Sequence, residues 1–326
     1  MSYTHKSTFL VVISLLGLFA SFLFLYNPKP DLPVIAIANY GQVASLDATI
    51  AGIKDGLADK GLVENQDFVY EILDVNFEHT LIRQMLAKLK ATHPAVLITL
   101  STPIAQAAKS ITDIPIVFSD ITAPVEAGLL THENSAQNNM TGASDRQNLV
   151  AFLSFAKKLL PQAKRIGLLY ATTDANDQSL VNMMQTAAAQ FGMEVVLVPI
   201  DSANDVKLRM QAFKNKVDFI YVGSSGPIQP TLPTIVAQSA RMRIPVFNAD
   251  SDAVKKHQVL GSFGVSYYQV GLNTAELVYA ILQGKEIKTL TPSYPKMEDH
   301  EGYVSKVVAD KFGIHLGAIE NVTVVE

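Results

Sequence analysis

From residue 33 onward, short apolar runs alternate with longer segments in which apolar residues recur every three or four positions. The runs have the length of buried strands, and the periodic segments have the spacing of helices with one buried face. The first such helix carries Leu46, Ile50, Ile53 and Leu57 on one stripe, and Gly61 ends it. This alternation predicts an α/β protein whose helices cover both faces of doubly wound parallel sheets.

The predicted strands share high apolar content and a length of about 4–8 residues. They are Pro33–Asn39, Phe68–Leu73, Ala95–Leu100, Pro115–Phe118, Ile166–Tyr170, Glu194–Ile200, Asp218–Val222, Pro245–Phe247 and Val259–Phe263. The last long helix is predicted from about Tyr268 to Leu282. An extended segment over Leu290–Pro295 then leads to a final predicted helix near Val304–Phe312.

The chain contains a short internal repeat. Residues 97–120 and residues 220–250 both give, in order, a strand, a Ser-rich turn, a helix, an Ile-Pro strand and an aspartate. A match this short can arise by chance. Taken as a repeat, it predicts two similar α/β lobes that face each other across a central cleft. Two lobes with a cleft are more typical of a hinge-closing binding protein than of a monomeric enzyme.

The segment before residue 33 has a different character. Phe9–Tyr26 carries no charged residue, and 18 helical residues span about 27 Å, which is just enough for a hydrocarbon core. The basic residues precede it, so we expect the N-terminus in the cytoplasm. A cleaved signal peptide is the alternative, although only Ala20 and Ser21 offer small residues for a cleavage site. Residues 1–32 are therefore interpreted as a signal or anchor followed by a Pro-rich spacer.

Composition excludes several classes of function. With 48% hydrophobic and 17% charged residues, the chain of 326 residues is too apolar for disorder. The net charge of −4 offers no overall basic field for nucleic acid. The chain has no cysteine, which excludes disulfides, thiolate metal sites, a Cys nucleophile and a lipid anchor attached to cysteine.

Polar residues that follow the predicted strands are the candidate ligand-binding residues, because ligands of open parallel sheets bind beyond the carboxyl ends of the strands. The candidates from this placement are Tyr40, Ser101, Thr102, Asp120, Thr122, Asn176, Ser224, Ser225, Asp250 and Ser251. Their hydroxyls, amides and carboxylates suit a small zwitterion or polyol. A set so poor in Lys, Arg and His does not suit a phosphate or a nucleotide.

Two of these turns carry a specific hypothesis. In Ser101-Thr102-Pro103 a helix is predicted to begin, and its free N–H groups could hold a carboxylate. The alternative is an ordinary cap that serves only its own helix. The turn Ser224-Ser225-Gly226-Pro227 is open to the same two interpretations.

Asp120 and Asp250 follow the two Ile-Pro strands, and either could pair with a ligand ammonium, with Asp250 slightly favoured. Capping or a hinge hydrogen bond is the alternative role for both. Tyr40 could cover an aromatic or aliphatic ligand, or it could simply pack at the rim. Of the pair Tyr267-Tyr268, at least one is expected in the core.

Enzyme signatures are not found in the sequence. It lacks the G-x-S-x-G, G-x-G-x-x-G, Walker A and H-E-x-x-H motifs. Its 7 histidines are scattered, and none lies at metal-ligand spacing from another. We therefore expect a protein that is not an enzyme and that needs neither a cofactor nor a metal.

Several segments, taken in order, resemble the ABC transporter substrate-binding proteins of the type I periplasmic-binding-protein class, in the branch of presumed tryptophan/tyrosine-binding proteins. The segments are 35–40 with 46–47, Gly52-x-x-x-Gly56-Leu57, 101–108, 114–125 with 127–129, 140–145, 160–161, 166–170, 244–251 and 264–271. The resemblance implies one lobe from residues 33–142 plus 249–285 and another from 143–248 plus 286–326. It supports Ser101, Thr102, Thr122 and Asp250 as cleft residues, and it adds Ser144 and Asp145 at the first crossover.

The expected function is that of an extracytoplasmic solute-binding protein that delivers a small amino-acid-like solute to an ABC permease and its ATPase. Many relatives carry a cysteine after the leader, and its absence here favours an inner-membrane anchor with the lobes in the periplasm. If the leader is cleaved, the protein is periplasmic. A membrane-anchored sensory receptor is the first alternative, and an exported α/β enzyme is the second.

Overall fold

The structure is a computed structural model that describes residues 32–317 and 319–326. The apolar run Phe9–Tyr26 lies outside the described residues. Within the described ranges, no helix has both the length and the apolar character that crossing a membrane requires.

The first sheet has five parallel strands in the order β2-β1-β3-β4-β5. These strands are β1 (Val34–Asn39), β2 (Val69–Asp74), β3 (Val96–Leu100), β4 (Ile116–Ser119) and β5 (Met140–Gly142). The central strands β1 and β3 are almost wholly buried. Continuous burial explains why both read as uninterrupted apolar runs rather than as alternating ones.

Helices cover this sheet on both faces. They are α1 (Ala44–Asp59), α2 (Ile82–Lys90), α3 (Thr102–Ala108) and a later helix, α9 (Tyr267–Leu282). In α2 the buried residues are Ile82, Met85, Leu86 and Leu89, which is the i, i+3, i+4, i+7 stripe of an amphipathic helix. We call this sheet with its four helices the first lobe.

Close packing of α9 against α1 brings a distant part of the chain into the first lobe. A Cβ atom on Gly271 would lie 2.9 Å from the Cα atom of Gly52, so neither position has room for a side chain. Thr274 of α9 also shares a 2.8 Å hydrogen bond with Ser119 at the end of β4. Two glycines at the crossing point therefore allow the two helix backbones to approach this closely.

The second sheet has seven strands in the order β12-β11-β10-β9-β8-β6-β7. They are β6 (Arg165–Ala171), β7 (Glu194–Ile200), β8 (Phe219–Val222), β9 (Val246–Asn248), β10 (Gly261–Val265), β11 (His300–Ser305) and β12 (Val322–Val325). Only the pairing of β10 with β11 is antiparallel among the strand pairs of the described residues.

The helices of the second sheet complete the second lobe. They are α4 (Leu149–Leu159), α5 (Ala175–Gln190), α6 (Val206–Arg209), α7 (Leu232–Met242), α8 (Asp252–Lys255) and α10 (Lys306–Phe312). Phe152 of α4 contacts an aromatic cluster on the sheet, with ring centroids 5.5 Å from Phe247. The Phe219 and Phe247 rings lie edge to face at 5.2 Å. Such pairs add to the stabilisation that apolar burial provides.

The structure differs from the sequence prediction in three places. Residues 249–265 were assigned to the first lobe, but β10 pairs with β9 and β11 of the second sheet. The return to the first lobe comes at Ser266, whose N–H donates to the Asp299 carbonyl. The segment from residue 300 to 305 is a strand, and the helix predicted from Val304 begins at Lys306. The short edge strands β5 and β12 have no counterpart in the prediction.

Candidate ligand-binding site

A cavity lies between the two lobes, at the carboxyl ends of strands from both sheets. We call it the cleft cavity. Its lining residues are Tyr40, Val43, Ser45, Leu46, Phe77, Ser101, Thr102, Pro103, Asp120, Thr122, Asp145, Asp174, Asn176, Ser224, Ser225, Gly226, Gln229 and Tyr267.

An aromatic pair forms one wall of the cleft cavity. Tyr40 follows β1 and Phe77 follows β2, and the Phe77 N–H donates to the Tyr40 carbonyl over 2.7 Å. Their rings lie edge to face with centroids 5.3 Å apart. Burial raises the pKa of the Tyr40 hydroxyl, and the nearby carboxylates of Asp174 and Asp177 raise it further. The hydroxyl therefore remains protonated, and the wall has an apolar face with one neutral polar tip.

Backbone strain occurs in the turn after β3. Ser101 has φ 79° and ψ 151°, a region that residues other than glycine rarely adopt. Its N–H donates to the Ser119 carbonyl, and its own carbonyl accepts from the N–H of Ala105. The side chain of Ser101 does not cap α3. The capping role that the sequence left open for this serine is thus not realised, and the strained turn places Ser101 and Thr102 on the cavity wall.

Asp120 follows β4 and carries a half-satisfied carboxylate. Its Oδ1 accepts a 3.0 Å hydrogen bond from the Thr49 hydroxyl, whereas Oδ2 is buried without a partner among the described residues. Burial raises the pKa of this carboxyl well above its ordinary value, the neighbouring Asp145 raises it further, and the hydrogen bond from Thr49 lowers it. The residue also has φ 56°, which turns the chain into the cavity.

Asp145 lies at the first crossover between the lobes. Its Oδ2 accepts a 3.2 Å hydrogen bond from the Ser224 hydroxyl, while Oδ1 is buried without a partner among the described residues. Burial raises the pKa of this carboxyl to about 6, although hydrogen bonds to it and the nearby Arg146 act in the opposite direction. Asp145 therefore joins the crossover to the turn after β8.

On the second lobe, a buried aspartate positions the cavity residues. Asp177 Oδ2 accepts hydrogen bonds from the Ala171 N–H at 2.5 Å and from the Ser225 hydroxyl at 2.8 Å. Burial raises the pKa of Asp177 to about 7, although both hydrogen bonds act to lower it. Because it holds the end of β6 and the turn after β8 together, Asp177 fixes the second wall without itself lining the cavity.

Several buried polar atoms of the cleft cavity have no hydrogen-bond partner among the described residues. They are Oδ2 of Asp120, Oδ1 of Asp145, Oδ2 of Asp174, Oδ1 of Asn176 and the hydroxyl oxygen of Tyr267. Buried polar atoms in folded proteins almost always have partners. Their convergence on one cavity indicates the place of a ligand, and the predominance of acceptors indicates a ligand that donates hydrogen bonds.

The structure brings most of the sequence-predicted site residues together. Those that line the cleft cavity are Tyr40, Ser101, Thr102, Asp120, Thr122, Asp145, Asn176, Ser224 and Ser225. The turns Ser101-Thr102 and Ser224-Ser225 of the internal repeat reach this cavity from different sheets.

Three predicted residues do not line the cavity. Ser144 is buried, and its hydroxyl donates to the Ile121 carbonyl at 2.7 Å within the crossover. Asp250 Oδ1 accepts from the N–H of Asp252 at 2.9 Å, and Ser251 directly precedes α8. For Asp250 this is a local turn hydrogen bond just before α8, in which the aspartate serves its own backbone as the alternative to ligand binding supposed.

Sequence reasoning missed Phe77, Asp174, Gln229 and Tyr267. Phe77 and Asp174 lie beyond the ends of β2 and β6, so the rule that selected the other candidates applies to them as well. Gln229 lies in the turn before α7, and its amide donates to the Gly223 carbonyl and to Asn248 Oδ1. Tyr267 is buried at the start of α9, and only the position of that helix brings its hydroxyl to the cavity.

Within residues 32–317 and 319–326, no group of three or more His, Cys, Asp or Glu side chains is arranged to hold a metal ion.

The family of the chain follows from its sequence across both lobes. The model of the family described as ABC transporter substrate binding protein matches residues 34–324. The chain belongs to this family. Its members bind solutes, and the family is not one of enzymes.

Individual relatives agree with this assignment. The chain is 28% identical, over 254 residues, to a tyrosine-binding protein of Clostridioides difficile strain R20291, covering 78% of this chain and 73% of the relative. It is similar to the crystal structure of a conserved domain protein from Vibrio cholerae O1 biovar El Tor strain N16961, with TM-score 0.85, 29% identity and coverage of 90% of this chain and 99% of that one. A Streptococcus pneumonia domain in complex with L-Trp has TM-score 0.82 and 24% identity over 87% of this chain and 95% of its own, which shows a shared fold.

Proposed function

We propose that this protein captures an aromatic, amino-acid-like solute in the cleft cavity and delivers it to an ABC permease and its ATPase. The observation that carries the proposal is that five buried polar atoms, none with a hydrogen-bond partner in the described part of the chain, converge on the cavity between the lobes. The name of the tyrosine-binding relative supports an aromatic solute.

The ammonium group of the solute is the part that the cavity recognises best. Asp120 Oδ2 and Asp145 Oδ1 are both buried acceptors without partners among the described residues, and the two carboxyls lie close enough for one to raise the pKa of the other. An ammonium between them donates to both and supplies the missing positive charge. Charge-assisted hydrogen bonds of this kind are about twice as strong as neutral ones.

The aromatic ring of the solute requires an apolar surface, which a different part of the cavity provides. Tyr40, Phe77 and Leu46 give the cavity an apolar wall within reach of the acidic end. Closure of the lobes over the ring excludes water and brings contacts from the second lobe, including Asn176 and Ser225. Recognition then depends on both lobes at once.

Delivery to a transporter requires an extracytoplasmic location. We infer that Phe9–Tyr26 acts as a signal or, since the chain has no cysteine for lipid attachment, as a retained anchor. Fractionation of cells checks this: an anchored chain stays with membranes after a high-salt wash, whereas a soluble form that begins near residues 22 to 33 indicates cleavage.

Titration calorimetry with purified protein comprising residues 32–326 tests the proposed function. The affinities of tyrosine, tryptophan and phenylalanine are compared with those of glycine and a neutral sugar. We expect only the three aromatic amino acids to bind. Asp120→Asn removes one charge while keeping the shape, and it should weaken aromatic binding by about 2–5 kcal/mol, as for a buried charge pair. Asp113→Asn is the matched control, because Asp113 is exposed and pairs with Lys90 on the outer surface. If the Asp120→Asn variant bound the aromatic amino acids as tightly as the wild-type protein does, the proposal would be contradicted.

A further inference from the structure

Asp120 and Asp145 are two buried carboxyls of the cleft cavity. They are 7% and 2% exposed, and each has one oxygen without a hydrogen-bond partner in the described part of the chain. No Lys, Arg or His lines the cavity among the residues that the structure describes. A buried charge without a counter-charge is costly, so an acid in such a place takes up a proton instead.

Two neighbouring groups that could affect this pair do not supply the positive charge. Arg146 follows Asp145 in the chain, but its guanidinium pairs with Glu133 at 2.7 Å and does not line the cavity. Tyr267 faces the pair from α9. Burial, and then the charge of Asp145, raise the pKa of the Tyr267 hydroxyl well above its ordinary value, so this side chain is neutral.

The other carboxyls near the site add negative charge. Asp174 lines the cavity from the second lobe, and Asp250 lies close enough to Tyr267 to act on the pKa of its hydroxyl. Burial raises the pKa of Asp174, and His79 lowers it, but His79 is exposed and does not line the cavity. The balance of charge at the site therefore favours a neutral, protonated acid.

The contacts of Thr49 leave a place for this proton on Asp120. Thr49 Oγ1 lies 3.0 Å from Asp120 Oδ1. Two backbone carbonyl oxygens, of Ser45 and Tyr267, each lie 3.2 Å from the same hydroxyl. A threonine hydroxyl has one hydrogen to donate, and its oxygen also accepts. When Asp120 is ionised, that single hydrogen faces three acceptors. When Asp120 is protonated, the carboxyl donates to Thr49, and the threonine hydrogen passes to a carbonyl.

We propose that the ligand-free protein holds a proton on Asp120 and that the ammonium of the solute displaces it, so that each binding event releases one proton. The inference rests on the proposed function, which places an ammonium between Asp120 and Asp145. The O–H bond of the Asp120 carboxyl breaks, its electron pair stays on the carboxylate, and the proton passes to the solvent. The pair gains one negative charge, and the ammonium brings one positive charge in exchange for the proton.

The electrostatics of the site support this exchange. Burial raises the pKa of the Asp120 carboxyl well above its ordinary value, Asp145 raises it further, and the hydrogen bond from Thr49 lowers it. An ammonium in contact with both carboxyls favours their charged forms. Protons and solute therefore compete for the same site, and a rise in pH strengthens binding. Release of one proton corresponds to an increase in affinity of about tenfold per pH unit.

Calorimetry in buffers of different ionisation enthalpy counts the released protons. Tyrosine and tryptophan are each titrated into the purified protein at about pH 7 in phosphate, HEPES and imidazole. At this pH Asp145, whose pKa burial raises to about 6, is already largely ionised. The slope of the observed enthalpy against the buffer ionisation enthalpy should correspond to the release of about one proton. The affinity should rise by about tenfold between about pH 6.5 and 7.5.

Variants assign the proton to one residue. Asp120→Asn keeps the shape but has no proton to exchange, so the slope should be near zero and the affinity should not rise with pH. Asp113→Asn is the matched control, because Asp113 is exposed and pairs with Lys90, and it should release as many protons as the wild type. Thr49→Val removes the hydroxyl that lowers the pKa of Asp120, so the rise in affinity should continue to higher pH. This variant decides the question when Asp120→Asn binds too weakly for calorimetry.

Each result has a defined meaning. Binding whose enthalpy does not depend on the buffer, or that takes up a proton, overturns this inference and leaves the proposed function intact. Release that persists in Asp120→Asn, or a wild-type pH profile in a folded Thr49→Val variant, also overturns it, because the proton then belongs to another group. Failure of the aromatic amino acids to bind in every buffer overturns the proposed function itself.

Discussion

The ring of Tyr40 in the first lobe lies directly against Gly226 in the second lobe, so closely that a Cβ atom on Gly226 would overlap the ring. Tyr40 cannot move aside easily, because its ring also packs edge to face against Phe77. The two lobes thus meet at a position where only glycine fits, and the cleft is closed at this point.

Replacing Gly226 by alanine should hold the cleft partly open. We expect solute affinity to fall by about tenfold, or ~1.4 kcal/mol, because closure then costs displacement of the Tyr40 ring. Calorimetry measures the affinity, and X-ray scattering measures the increase in the radius of gyration. Gly317→Ala is the control, since a Cβ atom there meets nothing within 4 Å. If Gly226→Ala left the affinity unchanged, the lobes of the solute-bound protein would not close as far as they do in this structure.

The hydroxyl of Tyr267 should affect stability and binding in opposite directions. It is buried and has no partner among the described residues, so Tyr267→Phe removes an unsatisfied polar group and should stabilise the ligand-free protein by about 1 kcal/mol. The same change removes a cavity hydroxyl and should weaken binding. Denaturant unfolding and calorimetry measure the two effects.

Tyr221→Phe is the matched control for this prediction. The Tyr221 hydroxyl is also buried without a partner among the described residues, but the residue does not line the cleft cavity. It should show the gain in stability without the loss of affinity. A loss of affinity of equal size in both variants would mean that Tyr267 acts only through packing.

Stability of the ligand-free protein should fall as the pH rises from about 4 to 7. Burial raises the pKa of Asp177 from 3.8 to about 7. Across this range the native state holds a proton that the unfolded state has released, so rising pH favours the unfolded state. The pKa of Asp145, raised to about 6, acts in the same direction.

Asp177→Asn isolates the contribution of Asp177. An asparagine amide oxygen still accepts from Ala171 and Ser225 but does not titrate, so the difference in unfolding free energy between variant and wild type should change by up to about 4 kcal/mol over this range. Groups common to both proteins cancel in that difference, including the histidines. Urea unfolding at pH 4 and pH 7 provides the measurement, and parallel profiles for the two proteins would exclude Asp177 as the titrating group.

The crossing of α1 and α9 should not tolerate a methyl group. Gly271→Ala would place Cβ 2.9 Å from the Cα atom of Gly52 and 2.9 Å from the backbone nitrogen of Ile53, and still closer to the carbonyl oxygen of Thr49. Overpacking of this kind costs about 1–3 kcal/mol. Thermal unfolding should show a reduced melting temperature, whereas Gly317→Ala should leave it almost unchanged.

The sequence predicts the fold class because most strands are buried on both faces and therefore appear as continuous apolar runs. It does not predict β5, since three residues that pair along one edge leave too short a pattern. The placement of β10 was wrong for a related reason. Gly261-Ser-Phe-Gly-Val reads as a strand, but nothing local to it specifies which of two sheets supplies its neighbours.

The candidate site also contains residues that the sequence identifies and residues that it does not. Residues directly after a strand, such as Thr102 and Asp120, could be found from position alone. Tyr267 could not, because its role depends on a helix that packs against α1 more than 200 residues earlier in the chain. Asp174 could have been found, since it lies two residues before Asn176, which the strand-end rule did select.

The position of α9 also constrains the order in which the chain can fold. Ala275, Leu277 and Val278 belong to the core of the first lobe, yet the strands β6 to β10 of the other sheet are synthesised before them. During synthesis and export, the first lobe thus has an uncovered apolar surface until residue 282 has emerged. A chain interrupted within the second lobe would lack a finished core in either lobe, so only nearly complete molecules can reach a soluble, protease-resistant state.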